Sequence, residues 1–465
     1  MKQIITTIMA MFAAGVLFAT AGCSGSGSSS PASVQKMNGY YAVTLDYANT
    51  THKEMGRQLA LSIRSVMPEY EQTLDGLLNL QMQILSTIID GLTFDMIIAR
   101  ANALLPNLPR EYQDEIAGMQ ETFNYNVDSL GDGKLSRNEL LVFQLFPDVI
   151  RAYSCSASAA FGNGSVTGKT IIGRNLDWFS ATLKAGAALH AVTTFKNGDK
   201  SVCNISLLGH LAAVSMFNTH KVFGAVLDSD TGAAYPDVQP GSSYRSYIFD
   251  LRYALENNAT LTGVSNYMSD HTKKYTYNHL IFLVDENSAG VVENDVNDNL
   301  GSGRGLRVYD SALNENLEPG QTWVDMNDNP ITGALAVVND FRLKGNQYNQ
   351  KQKFNTTRWT SFRIFYSLIN SSVRFDSDLM KAVTGYPGPR FDGNMDYGAI
   401  FLSVPAPAPA LGHYSGFYGE NSPPYGTMHS VVMKMDTMEL WVHFTPQTDA
   451  PPRLPTYQQI GNPLY

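Results

Sequence analysis

Residues 153–179, YSCSASAAFGNGSVTGKTIIGRNLDWF, form the most informative stretch of the chain. Short runs of small and apolar residues on either side of a glycine-rich segment predict two β-strands joined by a turn. Cys155 heads the first strand, and Arg174 and Asp177 lie near the end of the second. Taken alone, Arg174 and Asp177 fit a surface ion pair worth about 0–1 kcal/mol. A thiol across the hairpin from them indicates a reactive centre as the alternative.

The composition of the whole chain excludes nucleic acid as a partner. The chain has 465 residues, of which 44% are hydrophobic, so it can bury one large core or two ordinary ones. Its formal net charge is −9, and it has no block of Lys and Arg residues that would bind phosphates. We therefore expect a globular protein that acts on a small or neutral molecule.

The N-terminus has the pattern of a bacterial export signal. Residues 1–23 combine a basic start, an apolar stretch and small residues before Cys23. The ending TAGC resembles a bacterial lipobox, which implies that Cys23 is lipidated and anchors the protein to a membrane. An ordinary signal peptide or a membrane anchor is the alternative, although the apolar stretch is short for a bilayer span. Residues 24–36 are predicted to form a flexible tether, since most of them are Ser and Gly.

The pattern of the chain changes at the hairpin. Residues 37–154 contain helical patterns, whereas residues 155–465 contain mainly alternating and short apolar runs typical of strands, with helical patterns between them. This order predicts an α+β fold in which helices cover sheets. The apolar helices within residues 77–105 are predicted to be buried in a core, with a lipid-contacting surface as the alternative.

Residues 128–139, DSLGDGKLSRNE, resemble a twelve-residue calcium-binding loop. The first, fifth, sixth and last positions match such a loop: Asp128, Asp132, Gly133 and Glu139. Leu130 occupies the third position, which removes one carboxylate or amide ligand and weakens any site. We expect either a structural calcium ion held by the three carboxylates or a turn that caps a helix beginning near Ser136.

Cleavage of the chain between Ser154 and Cys155 would give the thiol its own general base. The new α-amine has a reference pKa of about 7.7–8.0, which suits proton transfer near neutral pH. Nucleophile and base would then lie on one residue, with Asp177 to orient the amine and Arg174 to favour the thiolate. In an exported protein the competing expectation is a disulfide between Cys155 and Cys203.

The segment from CSAS to GRNLDW resembles the start of the catalytic chain in N-terminal-nucleophile amidases of the choloylglycine hydrolase and acid ceramidase type. It also resembles their relatives, the acyl-coenzyme A:6-aminopenicillanic acid acyltransferases. In these families a nucleophilic cysteine opens the strand-turn-strand and an Arg-Asn-x-Asp motif ends it, which Cys155, Arg174 and Asp177 match. The resemblance implies a four-layer αββα sandwich, with a helical prosegment over residues 37–154 and a self-cleaved catalytic fragment over residues 155–465.

The resemblance extends downstream and implies an oxyanion hole. The segment SMFNTHKVFGAVL offers Asn218, LAVVNDF offers Asn339, and NTTRWTSFRIF offers Arg358 as a supporting cation. Asparagine amides suit an oxyanion hole because they donate hydrogen bonds without adding a titrating group. Asn294 competes with Asn339 for this role, and Arg363 competes with Arg358.

These patterns together predict an amidase that hydrolyses a linear, non-peptide C–N bond of a small N-acyl substrate through an acyl-thioester. No cofactor is expected for catalysis, because the nine histidines show no zinc-binding spacing. The two fragments are expected to stay associated after cleavage. Two other functions stay open, namely acyl transfer to an amine through the same thioester and a non-catalytic surface lipoprotein that keeps the fold.

Overall fold

The computed structural model describes most of the chain from Ser30 onwards. The described residues are 30–150, 154–179, 183–229, 238–296, 304–311, 324–325, 327–344, 346, 362–363, 365–385, 425–447 and 455–464. Pro31 and the residues after it belong to a single compact unit. Cys23, Arg358 and the predicted export signal lie outside the described residues.

Helices dominate the described chain before Cys155. The α-helices are α1 (His52–Val66), α2 (Tyr70–Ile88), α3 (Phe94–Leu104), α4 (Arg110–Met119), α5 (Arg137–Gln144), α6 (Phe146–Val149), α7 (Leu183–Ala187), α8 (Tyr247–Asn257), α9 (Leu261–Met268) and α10 (Ser377–Thr384). Helices α1 and α3 begin where the hydroxyls of Thr51 and Thr93 accept a backbone N–H of the first turn. Six of these helices, α1 to α6, precede Cys155.

Strands dominate the described chain from Cys155 onwards. The β-strands are β1 (Ala32–Lys36), β2 (Tyr41–Asp46), β3 (Ser154–Ala160), β4 (Ile171–Phe179), β5 (His190–Lys196), β6 (Val202–Leu207), β7 (Ser215–Asn218), β8 (Phe223–Asp228), β9 (Tyr244–Arg245), β10 (Lys274–Tyr275), β11 (His279–Val284), β12 (Ala289–Asn294), β13 (Arg304–Arg307), β14 (Ala334–Val337), β15 (Tyr425–Lys434), β16 (Leu440–Phe444) and β17 (Gln458–Gly461). Together with the helices they make a mixed α+β fold, as predicted.

Two large sheets organise these strands. One has nine strands in the order β1-β2-β5-β6-β7-β8-β11-β12-β13, and the other has six in the order β14-β3-β4-β15-β16-β17. Strands β3 and β4 pair antiparallel, with Cys155 opposite Leu176, which confirms the predicted hairpin. The hairpin is central in its sheet, because β14 and β15 flank it.

One apolar core joins the two sheets. Alternate residues of the hairpin, among them Cys155, Leu176 and Trp178, are buried in the same cluster as Leu227 and Phe282 of the nine-stranded sheet. The face of the hairpin that carries Cys155 therefore packs against the nine-stranded sheet.

The opposite face of the hairpin packs on helix α10. A Cβ atom at Gly173 would lie only 1.8 Å from Thr384 Oγ1, so this position of β4 requires glycine. Helix α8 covers the nine-stranded sheet in a similar way, since a Cβ at Gly224 would lie 3.1 Å from Leu251 Cδ1.

The N-terminal region departs from its prediction at one point. Residues Ala32–Lys36 form β1, which pairs with β2 at the edge of the nine-stranded sheet, so the flexible tether cannot extend to residue 36. Strand β2 in turn runs parallel to β5. The region before Cys155 is thus not purely helical, because it supplies two strands to a sheet whose other strands follow Cys155.

The apolar helices before Cys155 are part of the core. Helix α2 buries Leu74, Leu77 and Leu78, and α3 buries Ile97 and Leu104. This confirms the predicted burial. No helix among the described residues has the length and apolar character needed to cross a bilayer.

Candidate active site

Cys155 lies buried at the start of β3 with a partner for its backbone nitrogen. Its N–H donates to Asn339 Oδ1 at 2.7 Å. The contact follows from strand pairing, because Val337 of β14 lies opposite Ala157 and the next two residues bring Asn339 level with Cys155. Two residues that are 184 positions apart therefore meet at the bond that precedes the thiol.

Arg174 provides a cation for the sulfur of Cys155. Its position on β4 is opposite Ala157, so its side chain shares a face of the sheet with Cys155. The Nη2 atom lies 3.7 Å from Cys155 Sγ and donates to the Val226 carbonyl at 3.0 Å. The guanidinium is completely buried and bridges the two sheets next to the thiol.

Asp177 lies opposite Ser154, the residue that precedes Cys155. Its Oδ1 accepts a hydrogen bond from Thr427 Oγ1 at 2.6 Å, and its side chain is completely buried. The pairing of β3 with β4 thus places this carboxylate across from the peptide bond between Ser154 and Cys155.

Asn339 is itself held from two sides. Its Nδ2 donates to the Asp228 carbonyl at 2.7 Å, which ties it to the end of β8. The loop after it is fastened by Glu293, whose carboxylate accepts the backbone N–H groups of Arg342 and Leu343 at 2.9–3.0 Å. Glu293 also pairs with Arg307 at 2.9 Å in the buried interior. The sequence prediction missed Asp228 and Glu293, although a Glu inside the apolar strand VVEN was a usable signal.

Asn218 does not reach this site, and its predicted role in the oxyanion hole is wrong. It ends β7, where its Oδ1 accepts the N–H groups of His220 and Val222 and its Nδ2 donates to the Leu255 carbonyl. Val222 and Asp228 stand at opposite ends of β8, roughly 20 Å apart at about 3.3 Å per residue. Asn218 therefore shapes a turn at the far end of the strand.

The two competing residues also lie elsewhere. Asn294 donates to His279 Nε2 at 2.8 Å, and His279 stacks on Tyr247 of α8, so this asparagine faces the helix side of the nine-stranded sheet. Arg363 donates to the Asp325 carbonyl at 2.8 Å and pairs with the exposed Asp328. Neither contact involves Cys155.

Neither Cys203 nor Cys155 forms a disulfide, so the alternative of a disulfide between them is wrong. Cys203 lies within β6, opposite Thr194 of β5 and Phe217 of β7. Burial raises the pKa of the Cys203 thiol above its usual range. Cys203 is thus a core residue whose thiol stays protonated and unreactive, because it is buried among β5, β6 and β7.

A second buried residue beside Arg174 was not predicted. His429 of β15 lies opposite Leu176 and therefore on the same face as Cys155. Burial lowers its pKa well below the usual range, and the charge of Arg174 lowers it further. The imidazole is therefore uncharged, and Arg174 supplies the positive charge at this point of the core.

An apolar pocket lies beside Leu176, the cross-strand neighbour of Cys155. Its cavity volume is about 20 Å³. Ten residues line it: Leu77, Leu78, Phe143, Phe146, Leu176, Trp178, Ser206, Leu207, His210 and Val214. Leu176 lies opposite Cys155, so the pocket begins at the cross-strand neighbour of the nucleophile. Four of the lining residues precede Cys155 in the chain and six follow it, so both the region before Cys155 and the region after it form the pocket.

The predicted calcium loop is held by a carboxylate from another helix. Asp75 of α2 accepts the N–H groups of Gly131 and Gly133 at 2.7 and 2.6 Å. The three predicted ligands, in contrast, have local partners: Asp128 accepts from Asn138, Asp132 accepts from the Lys134 N–H, and Glu139 accepts from the Ser136 N–H. Within the described ranges no group of three His, Cys, Asp or Glu side chains is arranged to hold a metal ion. Ser136 and Glu139 form a capping box at the start of α5, which confirms the predicted helix cap. Calcium binding by this loop stays a prediction.

Glu139→Gln is expected to stabilise the protein at alkaline pH. Burial raises the pKa of Glu139 from its ordinary value of 4.5 to about 7, and the charges of Asp75 and Asp132 add to the rise. A raised carboxyl pKa means that the folded protein loses stability as the pH rises from about 4.5 through 7. Glutamine preserves the capping box without this titration. The variant should melt a few degrees higher than the parent at pH 8 and at the same temperature at pH 4.

Asp128→Asn is the matched control, because Asp128 is an exposed carboxylate of the same loop. We expect no pH-dependent difference for it. A calcium-dependent rise in melting temperature that disappears in Glu139→Gln would contradict this account of the loop and restore the metal site.

The comparisons with known proteins yield structural neighbours of low sequence identity. No family model and no curated protein matches the sequence. An N-acylethanolamine-hydrolyzing acid amidase ortholog from Caenorhabditis elegans is 15% identical, with a TM-score of 0.35 over 60% of this chain and 93% of that chain. A mutant and a variant of conjugated bile acid hydrolase from Clostridium perfringens are each 10% identical over 66% of this chain and 92% of those chains, with TM-scores of 0.36 and 0.35. These names agree with the families that residues 153–179 resemble, but TM-scores this low carry no argument about chemistry.

Proposed function

We propose that this protein is a self-processed cysteine amidase that hydrolyses the linear, non-peptide C–N bond of an N-acyl substrate. The contacts of Cys155 carry the proposal, because Asn339 accepts from its nitrogen and Arg174 lies beside its sulfur. The nitrogen of Cys155, which would become the base, contacts Asn339, and the sulfur, which would be the nucleophile, contacts Arg174. The proposed fold is an αββα sandwich of the N-terminal-nucleophile type, with α8 and α10 outside the two sheets.

Maturation would break the bond between Ser154 and Cys155. The Cys155 sulfur adds to the Ser154 carbonyl carbon, the C–N bond breaks, and the Cys155 nitrogen becomes a free amine. Water then hydrolyses the thioester, which releases the Ser154 carboxylate and restores the thiol. Asn339 can accept from the nitrogen before and after this step, and Asp177 provides a carboxylate opposite Ser154 for the new ammonium.

Catalysis would use the same atoms on an external amide. The α-amine of Cys155 takes the thiol proton, and the thiolate attacks the substrate carbonyl to give a tetrahedral oxyanion. The leaving amine takes the proton back, and water cleaves the acyl-thioester to the free acid. Asn339 Nδ2, which donates to the Asp228 carbonyl in the uncleaved chain, is the proposed oxyanion donor, with Arg358 in a supporting role.

The proposal includes the place of the protein in the cell. Cys23 would carry a lipid that anchors the exported protein to a bacterial membrane, and the fragment over residues 37–154 would stay bound to the catalytic fragment. A Cys23→Ser variant should move from the membrane fraction to the soluble fraction. Retention of this variant in the membrane fraction would contradict lipid anchoring at Cys23.

The direct test is to trap the acyl-enzyme. Purified protein is mixed with N-octanoyl amides of several amines and quenched in acid, and peptides are analysed by mass spectrometry. The proposal expects an octanoyl group on the peptide that begins with Cys155, together with free octanoic acid. Octanoyl transfer to an added amine in place of the acid would indicate an acyltransferase. A chain that begins with Cys155 but neither acylates nor releases acid would exclude both reactions.

Arg174→Gln is expected to lower kcat/KM by about 10–100-fold at neutral pH and to move the activity profile to higher pH. The reason is that the cation 3.7 Å from Sγ favours the thiolate over the thiol. The measurement is the pH profile of kcat/KM for an N-octanoyl amide. Arg174→Lys retains a charge and should give the smaller shift of the two. An unchanged pH profile in Arg174→Gln would mean that Arg174 only links the sheets.

A further inference from the structure

Two buried glutamines near the pocket, Gln81 and Gln144, differ in the number of hydrogen bonds that their side-chain amides make. Gln144 of α5 donates to the Gly209 carbonyl at 2.7 Å and accepts the Leu211 N–H at 2.9 Å. Gln81 of α2 accepts the Trp178 Nε1–H at 2.8 Å, but its Nε2 has no hydrogen-bond partner among the described residues. Both side chains are completely buried. A buried donor without a partner costs about 1–3 kcal/mol, so the Nε2 of Gln81 is a donor that a water molecule or a ligand atom would satisfy.

Gln81 lies on the side of α2 that borders the pocket. Leu77 and Leu78, which line the pocket, precede Gln81 by one helical turn and therefore share its face of the helix. Trp178, its hydrogen-bond partner, lines the pocket from β4. Trp178 follows Leu176 by two residues, so it stands about 7 Å along the strand from the neighbour of Cys155. The pocket of the uncleaved chain has room for about one water molecule, so an acyl chain that extends from the thiol over Leu176 has to move lining side chains apart to reach Trp178 and Gln81.

The rest of the pocket is apolar or neutral. Eight of its ten lining residues are apolar, and the remaining two, Ser206 and His210, bond to each other at 3.2 Å. Burial lowers the pKa of His210 to about 4, so its ring is uncharged at neutral pH. A charged acyl group would find no counter-charge among the lining residues. The occupant is therefore uncharged.

We propose that Gln81 is a specificity-determining residue that donates its Nε2–H to an uncharged oxygen on the acyl chain of the substrate. The substrate class is then an N-acyl amide whose chain is apolar except for a keto or hydroxyl oxygen. This inference rests on the proposed amidase function. Since Gln81 precedes Cys155, the N-terminal fragment supplies the group that selects the acyl chain and has to stay bound for the enzyme to discriminate.

The test compares matched substrates on the mature protein. Unsubstituted N-octanoyl amide is measured beside octanoyl amides with a keto group at the third, fifth or seventh carbon, all with the same amine. We expect kcat/KM for at least one keto chain to exceed that of the plain chain about tenfold, the value of one hydrogen bond. Gln81→Met should abolish this preference. Gln144→Met, which removes an equally buried but fully bonded amide, should lower the melting temperature and keep the preference.

Each outcome separates the two proposals. A wild-type enzyme that hydrolyses all four amides equally well overturns the role of Gln81 and leaves the amidase intact, as does a preference that survives in Gln81→Met. Gln81→Leu repeats the measurement if the methionine variant does not fold. A protein that hydrolyses none of the amides and never exposes Cys155 as an N-terminus overturns the amidase and the role of Gln81 with it.

Discussion

The Cys155→Ala variant is expected to remain one uncleaved chain and to lose amidase activity by about four orders of magnitude or more. Both losses have one cause, because the same sulfur would attack the Ser154 carbonyl during maturation and the substrate carbonyl during turnover. Denaturing mass spectrometry with N-terminal sequencing measures the first loss, and kcat/KM for an N-octanoyl amide measures the second. Wild-type protein should show a fragment that begins at Cys155.

Cys203→Ala is the matched control for this variant. Cys203 is also a completely buried thiol on a central strand, but the thiol has a raised pKa and lies opposite Thr194 and Phe217 instead of a cation. We expect it to cleave and to turn over like the wild type. Cleavage in Cys155→Ala would show that the thiol is not the nucleophile of maturation. An intact wild-type chain from acid to neutral pH would remove the proposed base and overturn the mechanism.

The sequence allowed prediction of the hairpin because its determinants are local. Two β-rich segments with a glycine-rich turn between them pair in only one simple way, and this pairing alone brings Arg174 to the face of Cys155. The requirement for Gly173 is less local, since it comes from contact with Thr384 of α10. The α+β class followed equally directly from the change of pattern near residue 154.

The partners of Cys155 from distant strands were harder to predict. Asn339 was named as a candidate from the family resemblance and lies next to Cys155 in the structure, but nothing local in the sequence shows that β14 pairs with β3. Asn218 follows an apolar strand in the same way and yet lies at the wrong end of the sheet. A sequence gives the order of strands along the chain, whereas the end of a strand that meets the site depends on which strands are neighbours.

Buried polar contacts between helices were not predictable at all. Asp75 holds the loop that resembles a calcium site, and it lies more than 50 residues before that loop in a helix with no distinctive motif. Strand β1 was mistaken for part of a Ser-rich tether, because the pairing with β2 gives order to residues whose composition favours flexibility. In both cases a tertiary contact overrides a local preference.

Glu115→Ala is expected to lower the free energy of unfolding by about 3–5 kcal/mol, because it removes one of the two carboxylates that pair with the buried Arg252 and leaves Glu256 as the other. Glu115 of α4 accepts from Arg252 of α8 at 2.6 and 2.9 Å, and both side chains are completely buried. Tyr47 and His52 bond to the same carboxylate. Burial alone raises the pKa of Glu115, but the charge of Arg252 and these hydrogen bonds outweigh it and hold the pKa at about 2.

This network joins the region before Cys155 to the region after it, so it should also hold the two fragments together after cleavage. Urea unfolding of the uncleaved Cys155→Ala background gives the loss of stability, and size-exclusion chromatography of the cleaved protein shows whether the N-terminal fragment is released. At about 1.4 kcal/mol per factor of ten, the expected loss weakens fragment association by about 100–4,000-fold. Asp114→Ala is the control, because its ion pair with Arg110 is solvent-exposed and lies one residue away on α4. Equal effects of the two variants would show that the buried charge pair does not bind the two fragments together. A loss confined to Glu115→Ala would show that the pair of Arg252 and Glu115 holds the N-terminal fragment, with Gln81 and its part of the pocket, on the catalytic fragment.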